Sequence, residues 1–403
     1  MKGWDYMMNH RDRMLATIRG EPTDQIPWAP RMDLWMIAQR AQGTLPERFA
    51  GLTMAEVADL LGVACHAIGG DMTLPGGRDN RLRAFGIDNH QDYPYRVELH
   101  GLPLESSDDG VDLQTSVQTS AGEIFTHLHR SPQMAREGIS LPFVKSYAIK
   151  SADDFDAVAE IFEHLVVIPT PKAYRTFRQR VGDRGIAVAR GPVAASPVHL
   201  ILHELVAMDQ FFYLYHDVRD AMHRLTARMT PFFDAALDAL VACDAEVVFW
   251  GANYDQDLTW PSFFAEEITP WLQKVSERVH AAGKLLLTHT DGENQALLPL
   301  YRESGFDVAE SVCPAPMTKL TLAEVRAGLG PDITVFGGIP SVALLDDAMT
   351  DGVFAAYLDE LFDSIGAGDH LILGVADNVP PYANLDRLDE ITRRAAAFGP
   401  VGK

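Results

Sequence analysis

Leu285-Leu286-Leu287-Thr288-His289-Thr290-Asp291-Gly292 is an apolar run closed by an imidazole, a carboxylate and a glycine. The run has the length and character of a buried strand, and such continuous apolarity belongs to a parallel sheet covered on both faces. In parallel α/β proteins the C-terminal ends of the strands open onto the ligand crevice. Residues two apart on a strand point the same way. His289 and Asp291 are therefore placed to share a proton, a metal ion or a substrate group.

Seven further runs of this kind occur along the chain, so that eight candidate strands span 25–33, 63–71, 185–194, 245–254, 284–292, 307–314, 333–341 and 371–380. Amphipathic helical stretches lie between most of them. The stretch 262–282 carries the helical period and stops at Gly283, and 320–329 pairs Thr321 with Glu324 at capping-box spacing before Gly330. Eight strand–helix units in series predict a (β/α)8 TIM barrel in one domain over 1–403. No Gly-x-Gly-x-x-Gly opens a helix after a strand, which removes support for a dinucleotide-binding fold. The rhythm breaks over 93–130, where alternating residues predict β-hairpins inserted after the second strand as a lid over the barrel mouth.

Polar and small residues gather at the same end of every candidate strand. The first offers Arg31 and Asp33, the second Asp71, the third Arg190-Gly191-Pro192, and the fourth Asn253, Tyr254 and Asp255. The fifth offers His289 and Asp291, the sixth Glu310 and Cys313, the seventh Gly337 and Gly338, and the eighth Asp377 and Asn378. Structural roles compete at several positions. Asp71 and Asp255 suit helix N-caps, Arg31 suits an ion pair with Asp33 or Asp71, and Cys313 suits an inert buried thiol. His289 with Asp291 resists such a reading, because two groups costly to bury end a core strand. The glycines at 337 and 338 suggest close approach of a ligand to the backbone. His66, His127, His129, His199, His203 and His216 lack partners at informative spacing and read as structural or surface residues.

Composition narrows the function. Lys and Arg total 34 against 56 Asp and Glu, a net charge of −22, which disfavours nucleic acid and anionic membranes as partners. It also disfavours a polyanionic substrate unless arginines concentrate at the site. The three cysteines rule out a disulfide framework, and the N-terminus carries no apolar leader core. The expected location is the cytoplasm.

Taken in order, several segments resemble the uroporphyrinogen decarboxylase superfamily, in particular its corrinoid-linked methyltransferase branch. They include Arg11-Asp12-Arg13, Gly20-Glu21-Pro22, Ile26-Pro27-Trp28, Thr119-Ser120-Ala121-Gly122 and Tyr147-Ala148-Ile149-Lys150. Gly191-Pro192, the His289-Thr290-Asp291-Gly292 strand end, Phe336-Gly337-Gly338-Ile339 and Asp377-Asn378-Val379-Pro380-Pro381 complete the set. The resemblance implies a barrel with its site on the C-terminal face, and is consistent with a homodimer. Decarboxylases of that family carry two arginines at the first strand end, where this chain has Arg31 alone. The thiol-methylating branch builds a zinc site from a histidine and two cysteines; here His289 keeps the first position and Asp291 replaces a cysteine. The implied metal set is His289, Asp291, Glu310 and Cys313, since zinc accepts nitrogen, oxygen and sulfur ligands.

The resulting expectation is a methyltransferase of one-carbon metabolism, moving a methyl group between a small methoxylated or methylated substrate and a corrinoid (cobalamin) on a partner protein. The chain lacks the Asp-x-His-x-x-Gly signature of a corrinoid-binding domain. His289, Asp291 and Glu310 are the candidate catalytic residues. Arg31, Asp33, Asp71, Asn253, Tyr254, Asp255, Gly338, Asp377 and Asn378 are candidate substrate contacts. The alternative is a cofactor-independent decarboxylase or lyase acting on a small carboxylic acid gripped by Arg31.

Overall fold

The computed structural model describes residues 7–74 and 76–402; residues 1–6, the N-terminal stretch read above, lie outside that range. Six parallel strands form one sheet, each beside its neighbour in sequence: Ala189–Arg190, Val247–Phe249, Leu285–His289, Val308–Val312, Thr334–Pro340 and Leu371–Ala376. Single parallel bridges extend both edges, Trp28 to Leu373 and Ile68 to Val188. The two extensions meet where the Ala64 N–H donates to the Trp28 carbonyl at 2.8 Å. The first two candidate strands are thus reduced to bridges. Pro27 and Pro30 remove two backbone donors from the first, and Gly69-Gly70 weakens the second.

Helices connect the strands and follow the sequence signals closely. Leu322–Leu329 starts at a capping box in which Thr321 and Glu324 cap one another, and stops at Gly330. Thr269–Ala281 continues a π turn over Phe264–Ile268, and Gly283 takes a positive φ of 71° just past the helix end. Among the described residues no helix is long and apolar enough to cross a membrane.

Val188, Phe249, Leu287, Val308, Phe336 and Ile372, one from each strand region, pack into one apolar cluster with Met14, Leu15 and Ile18 of the helix His10–Ile18. This layer is the floor on which the site rests. Two residues beyond Leu287 and Val308, on the same face, stand His289 and Glu310.

A four-stranded antiparallel sheet precedes the parallel one: Leu104–Asp108, Asp112–Thr119, Gly122–His129 and Phe143–Ser146. Its central hairpin turns at Ser120-Ala121, where Glu160 accepts from the Ser120 N–H at 3.0 Å. The sheet reaches Ser146, past the expected limit at 130. Tyr95–Leu99 does not join it, but pairs antiparallel with Leu165–Pro169. That partner lies about 70 residues downstream, beyond any local pattern.

Candidate active site

Parallel pairing of adjacent strands sets His289 directly opposite Glu310. The His289 Nδ1–H donates to Glu310 Oε2 at 2.5 Å, and His66 Nε2 lies 3.0 Å from Glu310 Oε1. One carboxylate, 4% exposed, thus joins two imidazoles. Burial opposes charge on both partners, yet each favours the other's charged form. Glu310 is held far below the usual carboxylate range by His289 and His66, and His289 is raised above the ordinary imidazole value by Glu310, with Asp377 and Asp291 adding to the effect. The pairing favours the protonated form of His289, whose Nε2 lies 3.9 Å from Asp377 Oδ1.

Asp377 follows the strand Leu371–Ala376 in a left-handed conformation, φ 29°. Its N–H donates to Ser311 Oγ at 3.1 Å, and Asn378 Nδ2 donates to its Oδ2 at 2.8 Å. Ser311 (φ 63°) and Asn253 (φ 55°) share that unfavourable backbone region. Three of the four described non-glycine residues with positive φ thus lie at the strand ends near His289, and such strain concentrates at ligand-binding surfaces. Arg31 donates to Asp33 Oδ1 at 2.9 Å and to Asp377 Oδ1 at 2.8 Å, tying two carboxylates together. Despite burial, Arg31 and His289 hold Asp377 below the usual carboxylate range, whereas burial pushes Asp291 up.

Arg31, Asp33, His289, Asp291, Glu310 and Asp377 line a cavity of about 430 Å³, together with Asp71, Asn253 and, from the antiparallel region, residues that include Asp108, Leu113, Leu128 and Leu141. Of the residues expected from sequence, the cavity gathers Arg31, Asp33, Asp71, Asn253, His289, Asp291, Glu310 and Asp377. Asp71 mainly serves structure, its Oδ1 accepting from the Thr73 N–H and hydroxyl and its Oδ2 from the Met54 N–H. Asn378, expected as a substrate contact, does not line the cavity and instead donates to Asp377.

Four expectations are corrected. Tyr254 is fully buried and shares a hydrogen bond with the Thr288 hydroxyl at 2.9 Å. Asp255 accepts from the Glu293 N–H at 3.0 Å in the loop behind the site. A Cβ on Gly338 would meet Leu322 Cδ2 at 2.9 Å, so this glycine makes room for a helix rather than for a ligand. Cys313 faces a separate crevice with Thr290, Asn294 and Leu320, where burial pushes its thiol up to about 12.

Gly337 likewise serves packing. At φ 142° a Cβ there would stand 2.7 Å from both the N and O of Val312 on the neighbouring strand. Gly337→Ala is expected to lower stability by about 3 kcal/mol through overpacking against backbone and positive-φ strain. Urea unfolding measures it; an unchanged midpoint would refute this account.

Two histidines were missed. His66 is 244 residues from Glu310 in sequence, so no spacing could reveal the contact. His203 Nε2 lies 3.0 Å from Asn253 Nδ2, and its Nδ1 donates to Glu204 at 2.9 Å. Arg78, Arg83, Arg130, Arg180 and Arg190 also line the cavity, the concentration of arginines that a net charge of −22 conceals.

The zinc ligand set does not assemble. Both Glu310 oxygens are engaged by imidazoles, Cys313 lies in another crevice, and among the described residues no group of three or more His, Cys, Asp or Glu is arranged to hold a metal ion.

A parallel α/β scaffold thus presents a His–Glu pair at adjacent strand ends to an arginine-lined cavity, an arrangement chemically able to exchange a proton. The chain belongs to the uroporphyrinogen decarboxylase (URO-D) family, whose profile matches residues 133–398. The matched segment contains His289, Asp291, Glu310 and Asp377, but not Arg31 or His66. Among solved structures, the fold is similar to that of a methyltransferase from Methanosarcina mazei, with TM-score 0.57, 16% identity, and 97% of this chain and 99% of that chain covered. A D-psicose 3-epimerase solved in the presence of D-fructose overlaps at TM-score 0.30 and 11% identity, over 62% of this chain and 83% of that one. No curated protein matches the sequence.

Proposed function

We propose that this protein is a methyltransferase of one-carbon metabolism, acting between a small methoxylated or methylated substrate and a corrinoid carried by a partner protein. The ring of parallel pairings, with its bridges at Trp28 and Ile68, supports closure of the fold as an eight-membered barrel with its mouth at His289. The antiparallel sheet then acts as wall and lid. The observation that carries the proposal is the hydrogen bond of His289 to the buried Glu310 at 2.5 Å beside the cavity, a pairing that favours protonated His289. A methyl group leaves a heteroatom only if that atom's electron pair is stabilised, and the Nε2 proton of His289 supplies this stabilisation. Glu310 orients the ring through Nδ1, His66 fixes Glu310, and Asp291 offers a second carboxyl that burial inclines toward its neutral form. The corrinoid, when docked, supplies the cobalt that accepts the methyl group. No step is routed through zinc.

The test is incubation of the protein with cob(I)alamin and a panel of small aryl methyl ethers and methylamines, following methylcobalamin by absorbance. Formation from at least one compound is expected; none from any would overturn the proposal. The arginines favour one rival, a decarboxylase of a small carboxylic acid, which the same panel extended to acids would reveal as carbon dioxide release. Arg31 is the weaker candidate for gripping such an acid, because Asp33 and Asp377 already pair with it.

A further inference from the structure

We infer that Arg78, Arg130 and Arg190 form an oxyanion subsite of the cavity, holding a carboxylate or phosphate group of the substrate. The inference deepens the proposed function, resting on it for the reacting end of the substrate and adding that the other end is an acid.

The three residues come from distant parts of the chain and line one cavity. Arg190 ends a strand of the parallel sheet, Arg130 follows the strand Gly122–His129, and Arg78 opens the short strand Arg78–Asp79, which pairs antiparallel with Asn89–His90. The other cavity arginines are engaged. Arg83 binds Glu204, Arg180 binds Asp92 at 2.6 Å, and Arg31 binds Asp33 and Asp377. Among the described residues Asp88 is the one carboxylate within ion-pair range of the trio, 4.0 Å from Arg78 Nε and 3.7 Å from Arg190 Nε, while Arg78 Nη2 donates to Met72 Sδ at 3.0 Å. Asp88 also accepts from the Tyr93 hydroxyl at 2.7 Å. Arg190 Nε is buried without a hydrogen-bond partner, its guanidinium lying 4.5 Å from the Phe249 ring centroid. Among the described residues Arg130 forms no ion pair, and burial together with Arg78 makes its charge harder to keep.

Three guanidiniums facing one carboxylate leave a surplus of two positive charges. Partly buried cations such as Arg130 and Arg190 are costly without partners, and a chain of net charge −22 has no shortage of acidic residues to pair them. Their donors match the planar, bidentate geometry of carboxylate and phosphate oxygens. A bound oxyanion would neutralise the surplus charge and offset the repulsion between Arg78 and Arg130.

Isothermal titration of the full-length protein with succinate, inorganic phosphate and neutral succinamide tests this, because binding is read without any turnover. Succinate or phosphate is expected to bind and succinamide not to; whichever anion binds more tightly identifies the group. Arg130→Gln is expected to weaken binding about tenfold or more while leaving the melting temperature unchanged or raised, since it removes a repelled charge. A merely structural arginine would lower the melting temperature instead. Arg190→Gln should weaken binding similarly. Failure of both anions to bind, or equal affinity in wild type and Arg130→Gln, would overturn the subsite and leave the chemistry proposed for His289 standing. Anion binding without methyl transfer would do the reverse.

Discussion

His289→Gln is expected to reduce turnover by a factor of about 10² to 10⁴, the usual loss when a positioned general acid is removed. Glutamine can keep a hydrogen bond to Glu310 but has no proton to release at the cavity. The protonated form of His289 is the active one, so wild-type activity should fall as pH rises through its folded value. That value lies above the ordinary 6.5, because Glu310 at 2.5 Å outweighs the effect of burial. The alkaline limb of the pH–rate profile therefore belongs above pH 6.5. In the glutamine variant the residual rate should lose this limb altogether. A variant that keeps both its rate and its alkaline limb would show that another group supplies the proton.

The two centres of this chemistry differ in how far the sequence exposes them. His289 and Glu310 each end an apolar run, and a strand buried on both faces leaves no structural reason for such residues. Their pairing was not legible: it depends on the register of two parallel strands, which no local pattern encodes. Cys313 shows the opposite failure. It follows Glu310 closely in sequence, but the pairing slips at Ser311, the strand stops at Val312, and the thiol turns into another crevice. Tyr254 adjoins Asn253, yet the left-handed backbone at Asn253 sends the tyrosine into the core. Helix ends were read well, since caps are local chemistry. The paired segments 95–99 and 165–169 were not, since only tertiary contact joins them. Arg190 stood in view at a strand end, and its meaning emerged only once Arg78 and Arg130 arrived beside it from elsewhere.

Glu310→Gln should separate positioning from proton donation. The amide has the shape of the carboxylate but offers one acceptor oxygen where His66 and His289 require two. The charge that held His289 protonated is lost while its burial remains, so the His289 pKa should fall and the alkaline limb of the activity should move to lower pH. At pH 8 this predicts a loss of about 100-fold or more. Stability should fall by about 3 kcal/mol, the lower end for a broken buried pair, because the orphaned imidazole can discard its proton. The size of that loss should itself depend on pH. His289, raised on folding, contributes fully below its unfolded value near 6.5 and loses that contribution as pH rises through its folded value. Glu310, lowered on folding, contributes fully above its unfolded value near 4.5 and loses that contribution as pH falls through its folded value. The gap between wild type and variant should therefore be widest from about pH 4.5 to 6.5 and narrow on either side. Urea unfolding of both proteins at pH 5.5 and pH 9 measures it. An equal gap at the two pH values would mean that the pair is neutral in the folded protein, and the charged acid assigned to His289 would have to be abandoned.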